Sequence, residues 1–177
     1  GRAAAVLLAK AGARILCVDR DLGRATETVK IIEAEGGEAF ACQADTTREA
    51  DCEAMVAKAM EAYGRVDVLD NNVGIGSQGS VVEENLENWD RIMRINVQSM
   101  FLAAKYAIPA MIDGGDGGAI VNISSISALR PRGLTAYSAS KGAVIALTRA
   151  MAMDHAAEGV RANCIAPGPV YTPMVYS

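Results

Sequence analysis

Five short apolar runs constrain this chain more than any other feature. They lie at residues 14–18, 38–43, 66–70, 119–123 and 160–165, and each closes on polar or glycine-rich residues. The first four are each followed by a segment of helical length. Runs this short are too brief for buried helices. Their lack of in/out alternation fits strands buried on both faces, as in parallel sheets. Between them, helical spacing predicts helices over 1–12, 22–35, 48–63 and 88–112, the last with a bend near Pro109. A final helix runs through Tyr137 to about residue 158. The alternation predicts a single α/β domain over 1–177. It would be a doubly wound parallel sheet of Rossmann type with helices on both faces, three layers in all. Ligands of such sheets bind beyond the carboxyl ends of the strands. The informative residues therefore stand at Asp19, Asp45, 71–74, Ser124, Ser125 and 167–172.

Composition removes several function classes. The net charge is −4 and no Lys/Arg-rich run occurs, so nucleic acid is not an expected partner. The longest apolar stretches are broken by Lys, Arg or Asp, which argues against a membrane span. With no secretory pattern at the start, a cytoplasmic location is expected. Cys17, Cys42, Cys52 and Cys164 are scattered, without a CxxC pair or a His cluster. That spacing argues against a metal site and against disulfides, and predicts reduced thiols. His155, the only histidine, reads as a helix residue and not as a catalytic base.

Tyr137 and Lys141 stand four residues apart at the start of an alanine-rich run. On a helix, such residues share one face, one turn apart. A free phenol ionises near pH ~10, too high for easy proton exchange at neutral pH. A fixed positive charge nearby favours the phenolate. The pair is thus a candidate general acid/base for a hydroxyl or carbonyl substrate.

The strand ends add candidates. An acid about 20 residues beyond a glycine turn can accept hydrogen bonds from an adenine ribose and repel a 2′-phosphate. Asp19, counted from Gly1, fits that place and favours NAD, while Arg20 beside it could receive a phosphate; Asp19 could also cap the helix that follows. Asp45 and Thr46 could cap the next helix or touch the adenine. Gly74 lets the backbone pass close to a cofactor. Asn96 is out of place in a helix interior; a buried amide there needs partners, which implies a kink or a bound water.

Together these residues resemble the classical short-chain dehydrogenase/reductase family. The carriers are the run 71–74, with Val73 where the family usually has Ala, then Asn96, Ser125, the Tyr137/Lys141 pair, and Pro167-Gly168 with Thr172. The resemblance implies an Asn-Ser-Tyr-Lys tetrad. Tyr137 exchanges the proton, and Lys141 tunes it and holds the nicotinamide ribose. Ser125 bonds the substrate oxygen, and Asn96 holds a water that links Lys141 to solvent. Counting back from Tyr137 points instead to Ser124; aligning on the strand points to Ser125, which we favour because loops change length more readily than strands. The resemblance puts Val170 and Thr172 at the carboxamide end of the cofactor and Asn72 on the adenosine side. It implies NAD, with NADP open, and an alcohol or ketone substrate of unread identity. It also implies a homodimer or homotetramer through the two long helices, whose outer faces are expected to carry Met93, Met100, Ala103, Ala146 and Met153. Relative to the family, the sequence reads as a fragment. It lacks the first strand with its glycine-rich turn and the C-terminal substrate region. The strands ending at Asp19 and Leu69 should flank the position of that first strand. The competing expectation is a cofactor-binding regulator or scaffold that keeps the fold without the chemistry.

Overall fold

The computed structural model describes residues 1–170, so the expected cofactor contact at Thr172 lies outside the described residues. Helices and strands alternate in the expected order: α1 (Arg2–Lys10), β1 (Ile15–Asp19), α2 (Leu22–Ala34), β2 (Ala39–Gln43), α3 (Glu49–Tyr63), β3 (Val68–Asn71), α4 (Leu86–Met93), α5 (Ser99–Asp113), β4 (Gly118–Ile123), α6 (Thr135–Asp154) and β5 (Val160–Ile165). All strand pairings are parallel. β1 pairs with β2, and β3, β4 and β5 form a second ladder in that order. The two pieces of sheet meet through side chains instead of a ladder. Leu16 and Val18 of β1 and Leu69 of β3 pack in one cluster with Leu102 and Ala103 of α5.

Local chemistry sets the helix ends. Asp21, not Asp19, caps α2, accepting from the amides of Gly23 at 2.8 Å and Arg24 at 3.4 Å. Asn85 caps α4 by accepting from the Asn88 amide at 2.8 Å. Neither Asp45 nor Thr46 caps α3, whose N-cap position is Arg48. Instead, Asp45 closes a turn on Thr47. Gly64 ends α3 with φ 76°, a left-handed conformation that costs glycine nothing.

The long helix expected over 88–112 is not regular. α4 passes into α5 through a π-helical turn, Arg94–Gln98. The departure centres on Asn96, while Pro109 stays inside α5. A π turn inserts one extra residue, and such turns gather at functional sites.

The core beneath the site joins α5, α6, β4 and β5 through Ala107, Ile108, Met111, Ile120, Met151 and Val160. Each Ile, Met or Val side chain buried there contributes about 1.5–3 kcal/mol. Met100 and Ala103, expected on an outer face, are buried instead, at 1% and 2% exposure, Ala103 in the cluster between the two pieces of sheet. The helical period alone could not tell the two faces apart, because α5 is apolar nearly all round. Its outer face carries Phe101, Lys105 and Pro109. On α6, Ala146 and Met153 do face outward, while Met93 is half-buried. Among the described residues no helix is long and apolar enough to cross a membrane.

A buried polar chain crosses the core. Asn71 Nδ2 donates to Asn122 Oδ1 at 2.8 Å, and Asn122 Nδ2 donates to Thr148 Oγ1 at 2.9 Å. It links β3, β4 and α6 with every amide satisfied, as burial demands. Because all strands run one way, Asp19, Asp45, residues 71–74, Ser124, Ser125 and Pro167 gather along one rim.

Candidate active site

At this rim α6 begins without a cap of its own. Leu134 occupies the N-cap position and offers no side-chain acceptor. The loop after β3 supplies what is missing. Ser77 Oγ accepts from the Tyr137 amide at 3.1 Å, and the Gly79 carbonyl accepts from the Thr135 amide at 3.0 Å. Tyr137 is thereby held half-buried in the first turn, and Lys141 follows one turn on.

Lys141 is 3% exposed. Its Nζ donates to the Ile123 carbonyl at 2.7 Å and lies 5.8 Å from the centre of the Tyr137 ring. Burial pushes its pKa down to about 8, with Cys164 acting weakly the other way. An ammonium carries three N–H donors, and one is spent on Ile123.

Asn96 is fully buried. Its Oδ1 accepts from the Ile75 amide at 2.8 Å, and its Nδ2 donates to the Ile75 carbonyl at 2.9 Å. The same Nδ2 donates to Ser140 Oγ at 2.9 Å, and that hydroxyl donates to the Tyr137 carbonyl at 2.7 Å. The buried amide thus finds its partners within the protein, one residue beyond Gly74. A Cβ added at Gly74 would stand 3.1 Å from Lys141 Nζ and 3.4 Å from Asn96 Oδ1. The bare α-carbon lets Lys141 and Asn96 converge on this loop.

The two serines at the end of β4 differ. Ser124 Oγ donates to the Lys141 carbonyl at 2.7 Å and is committed to α6. Ser125 Oγ accepts from the Ser127 amide at 3.1 Å, a bond that leaves its own proton to donate elsewhere. The Ile126 amide donates to the Pro167 carbonyl at 2.9 Å, which brings the segment after β5 beside Ser125. Gly168 and Val170 continue that segment, both exposed.

The other half of the rim collects the residues expected at the adenosine end. Asp19 Oδ1 accepts from the Asp21 amide at 2.9 Å, and Oδ2 has no protein partner among the described residues. Asp45 Oδ1 accepts from Thr47 Oγ1 at 2.7 Å and from its amide at 3.0 Å, which holds this carboxyl below its usual range. Thr46 is half-buried and takes the Cys52 thiol on its carbonyl at 3.3 Å. Asn72 is exposed near the Asp70 carboxyl, whose pKa burial pushes up while Asn72 acts the other way.

The sequence reading missed Ser77, Ser140 and the Ile75 and Ile123 peptides. Ser140 carried a local signal, since a Ser in a helix back-bonds to a carbonyl three or four residues earlier. Ser77 carried none, because its partner lies sixty residues away.

The rim suits a nicotinamide dinucleotide. Lys141 keeps N–H donors beside a glycine, and Asp19 keeps an acceptor at the end of β1. Two ribose diols need one such partner each.

Known proteins agree with this architecture. The family model for short chain dehydrogenases matches residues 1–177. An oxidoreductase of Thermotoga maritima is 41% identical over 170 residues, covering 95% of this chain and 66% of its own length. Cyclohexanol dehydrogenase of an Acinetobacter species is 36% identical, covering 99% of this chain and 70% of its own. The crystal structure of a short-chain type dehydrogenase/reductase from Mycobacterium marinum superposes with a TM-score of 0.91 at 32% identity, covering 95% of this chain and 69% of that one. Other relatives bear names that state NAD dependence. The chain spans about two thirds of the length of the curated relatives it matches. With its parallel α/β sheet, its Tyr-Lys helix and a family match over all its residues, the chain belongs to the short-chain dehydrogenase family of oxidoreductases.

Proposed function

We propose that the protein interconverts a secondary alcohol and a ketone by hydride transfer with NAD, and that Tyr137 is the general acid/base. The observation that carries this reading is the buried Lys141 ammonium, 5.8 Å from the Tyr137 ring and tied to the Ile123 carbonyl. A positive charge fixed there stabilises negative charge on the phenol oxygen. In oxidation, the phenolate takes the hydroxyl proton as the carbinol carbon gives up hydride. In reduction, the phenol returns a proton to the carbonyl oxygen. Ser125 donates its free proton to that same oxygen. The bound nicotinamide supplies the hydride acceptor or donor.

Lys141 would hold the nicotinamide ribose through its remaining donors. Asn96 would act through the Ile75 peptide, to whose carbonyl it donates, and that carbonyl would hold a water linking Lys141 to solvent. Asp19 would take the adenine ribose and repel a 2′-phosphate, which supports NAD over NADP. Gly1, Asp45, Thr46, Asn72, Gly74, Pro167, Gly168, Val170 and Thr172 would complete the cofactor contacts. A cyclic secondary alcohol, the substrate in the name of the Acinetobacter relative, is the class to try first.

The test is NADH formation with a panel of secondary alcohols, wild type against Tyr137→Phe. Turnover should fall at least ~100-fold while NAD binding holds. Equal rates in the two proteins would end the reading and leave a cofactor-binding protein without this chemistry.

A further inference from the structure

We infer that Ser77 is a positioning residue for Tyr137. The inference rests on the general acid/base role proposed for that tyrosine.

Tyr137 is the third residue of α6, and amides of a first helical turn have no partner within the helix. An N-cap side chain ordinarily takes one of them, but Leu134 has nothing to offer. Ser77 takes it from sixty residues away, at 3.1 Å. The tie is reinforced on both sides: the Gly79 amide donates to the Gly133 carbonyl at 2.8 Å, and the Thr135 amide donates to the Gly79 carbonyl at 3.0 Å.

The same short loop reaches the rest of the site. Gly74 lies against Lys141 Nζ and Asn96 Oδ1, and the Ile75 peptide bonds Asn96 at both ends. Residues 74–79 therefore touch Lys141, Asn96 and Tyr137 in turn. The carbonyl of Tyr137 is held as well, by Ser140, whose hydroxyl is fixed by Asn96. Both polar groups of the Tyr137 backbone are thus tied to this loop, the amide directly and the carbonyl through the side chains of Ser140 and Asn96. An ordinary local cap would stabilise α6 alone. A cap borrowed from the loop under Lys141 sets where the phenol stands relative to the ammonium. Small misplacements of a reacting group are costly in rate. Ser77 does not touch the reacting atoms in this account.

The test compares Ser77→Ala, Ser77→Thr, Tyr137→Phe and Asn85→Ala in NAD-linked alcohol oxidation. Asn85→Ala removes the cap of α4 and controls for the loss of a helix cap as such. Ser77→Ala should lower kcat by about tenfold or more with KM and the NAD Kd within about twofold. Its Tyr137 amide should also exchange faster with solvent. Ser77→Thr, which keeps the hydroxyl, should recover kcat, and Asn85→Ala should keep it. The inference is overturned if Ser77→Ala turns over like wild type, if Thr does not recover the rate, or if Asn85→Ala loses as much. Should Tyr137→Phe keep its turnover, the function reading falls and this inference with it. If Tyr137→Phe is dead and Ser77→Ala is normal, this inference alone falls.

Discussion

The Lys141 ammonium donates to the carbonyl of Ile123, at 2.7 Å, so among the described residues it is anchored by the end of a strand and not by a carboxylate. Among the described residues no acid offsets its burial, which lowers its pKa from 10.5 to about 8. A charge kept under that strain is expensive for the fold and useful to a neighbour that must carry negative charge.

The first prediction follows from that cost. The unfolded chain holds the Lys141 proton to pH ~10.4, but the folded state releases it from about 8. Between those values the folded state binds fewer protons, so this group's contribution to stability rises with pH. Below pH 8 the full penalty applies, on the order of 3 kcal/mol. Lys141→Met should therefore stabilise the ligand-free protein at pH 7 while abolishing turnover, and wild type should close the gap as pH rises toward 10. Urea unfolding of both proteins at pH 7 and pH 9.5 reads this. A Met variant no more stable at pH 7 would contradict the burial.

Gly74→Ala should separate activity from stability. The new methyl would stand 3.1 Å from Lys141 Nζ, the end of a flexible side chain that can yield by a few tenths of an ångström. The backbone φ is not positive, so the fold accepts alanine. Stability should change by less than ~1 kcal/mol, while kcat falls ~10-fold or more as Lys141 shifts. Steady-state kinetics beside a thermal melt checks both.

Asn122→Leu should be destabilising at nearly constant volume. It takes away one acceptor of Asn71 Nδ2 and the donor that Thr148 Oγ1 receives; Asn71 keeps the Met100 carbonyl at 3.3 Å and Thr148 keeps the Val144 carbonyl at 2.7 Å. Buried hydrogen-bonding capacity left unfilled costs about 1–3 kcal/mol. A shift of the urea midpoint of that size, with the slope unchanged, is the expected result.

Gly117→Ala should be worse, by more than ~3 kcal/mol. Gly117 enters β4 with φ 69°, and an added Cβ would collide with the carbonyl of Gly159. The atoms met are backbone, which cannot rotate out of the way as a side chain can. Circular dichroism against temperature should show a strongly lowered midpoint or no cooperative transition.

Asp19→Ser should weaken cofactor discrimination. With the carboxylate at the end of β1 gone, the repulsion of a 2′-phosphate goes too, and Arg20 remains. The ratio of kcat/KM for NAD over NADP should fall at least about tenfold. An unchanged ratio would remove Asp19 from the adenine ribose.

The sequence alone determined the alternation of strands and helices, the parallel sheet and the rim of strand ends. Those features depend on apolar runs and on residues near one another in the chain. It also placed Tyr137 and Lys141 on one helical face, because four residues make about one turn. It could not show that Met100 and Ala103 face inward, since an almost wholly apolar helix has no polar side to mark its outside. Nor could it show that the irregularity in the long helix falls at Asn96 instead of Pro109. The π turn there accompanies the pairing of Asn96 with Ile75, twenty-one residues earlier. The tertiary structure alone decided the partners of the site: Ile123 for Lys141, Ile75 and Ser140 for Asn96, Ser77 for Tyr137. These are bonds between groups distant in sequence, most of them to backbone amides and carbonyls. Every residue type offers a carbonyl and all but proline an amide, so no residue name announces them until the chain has folded.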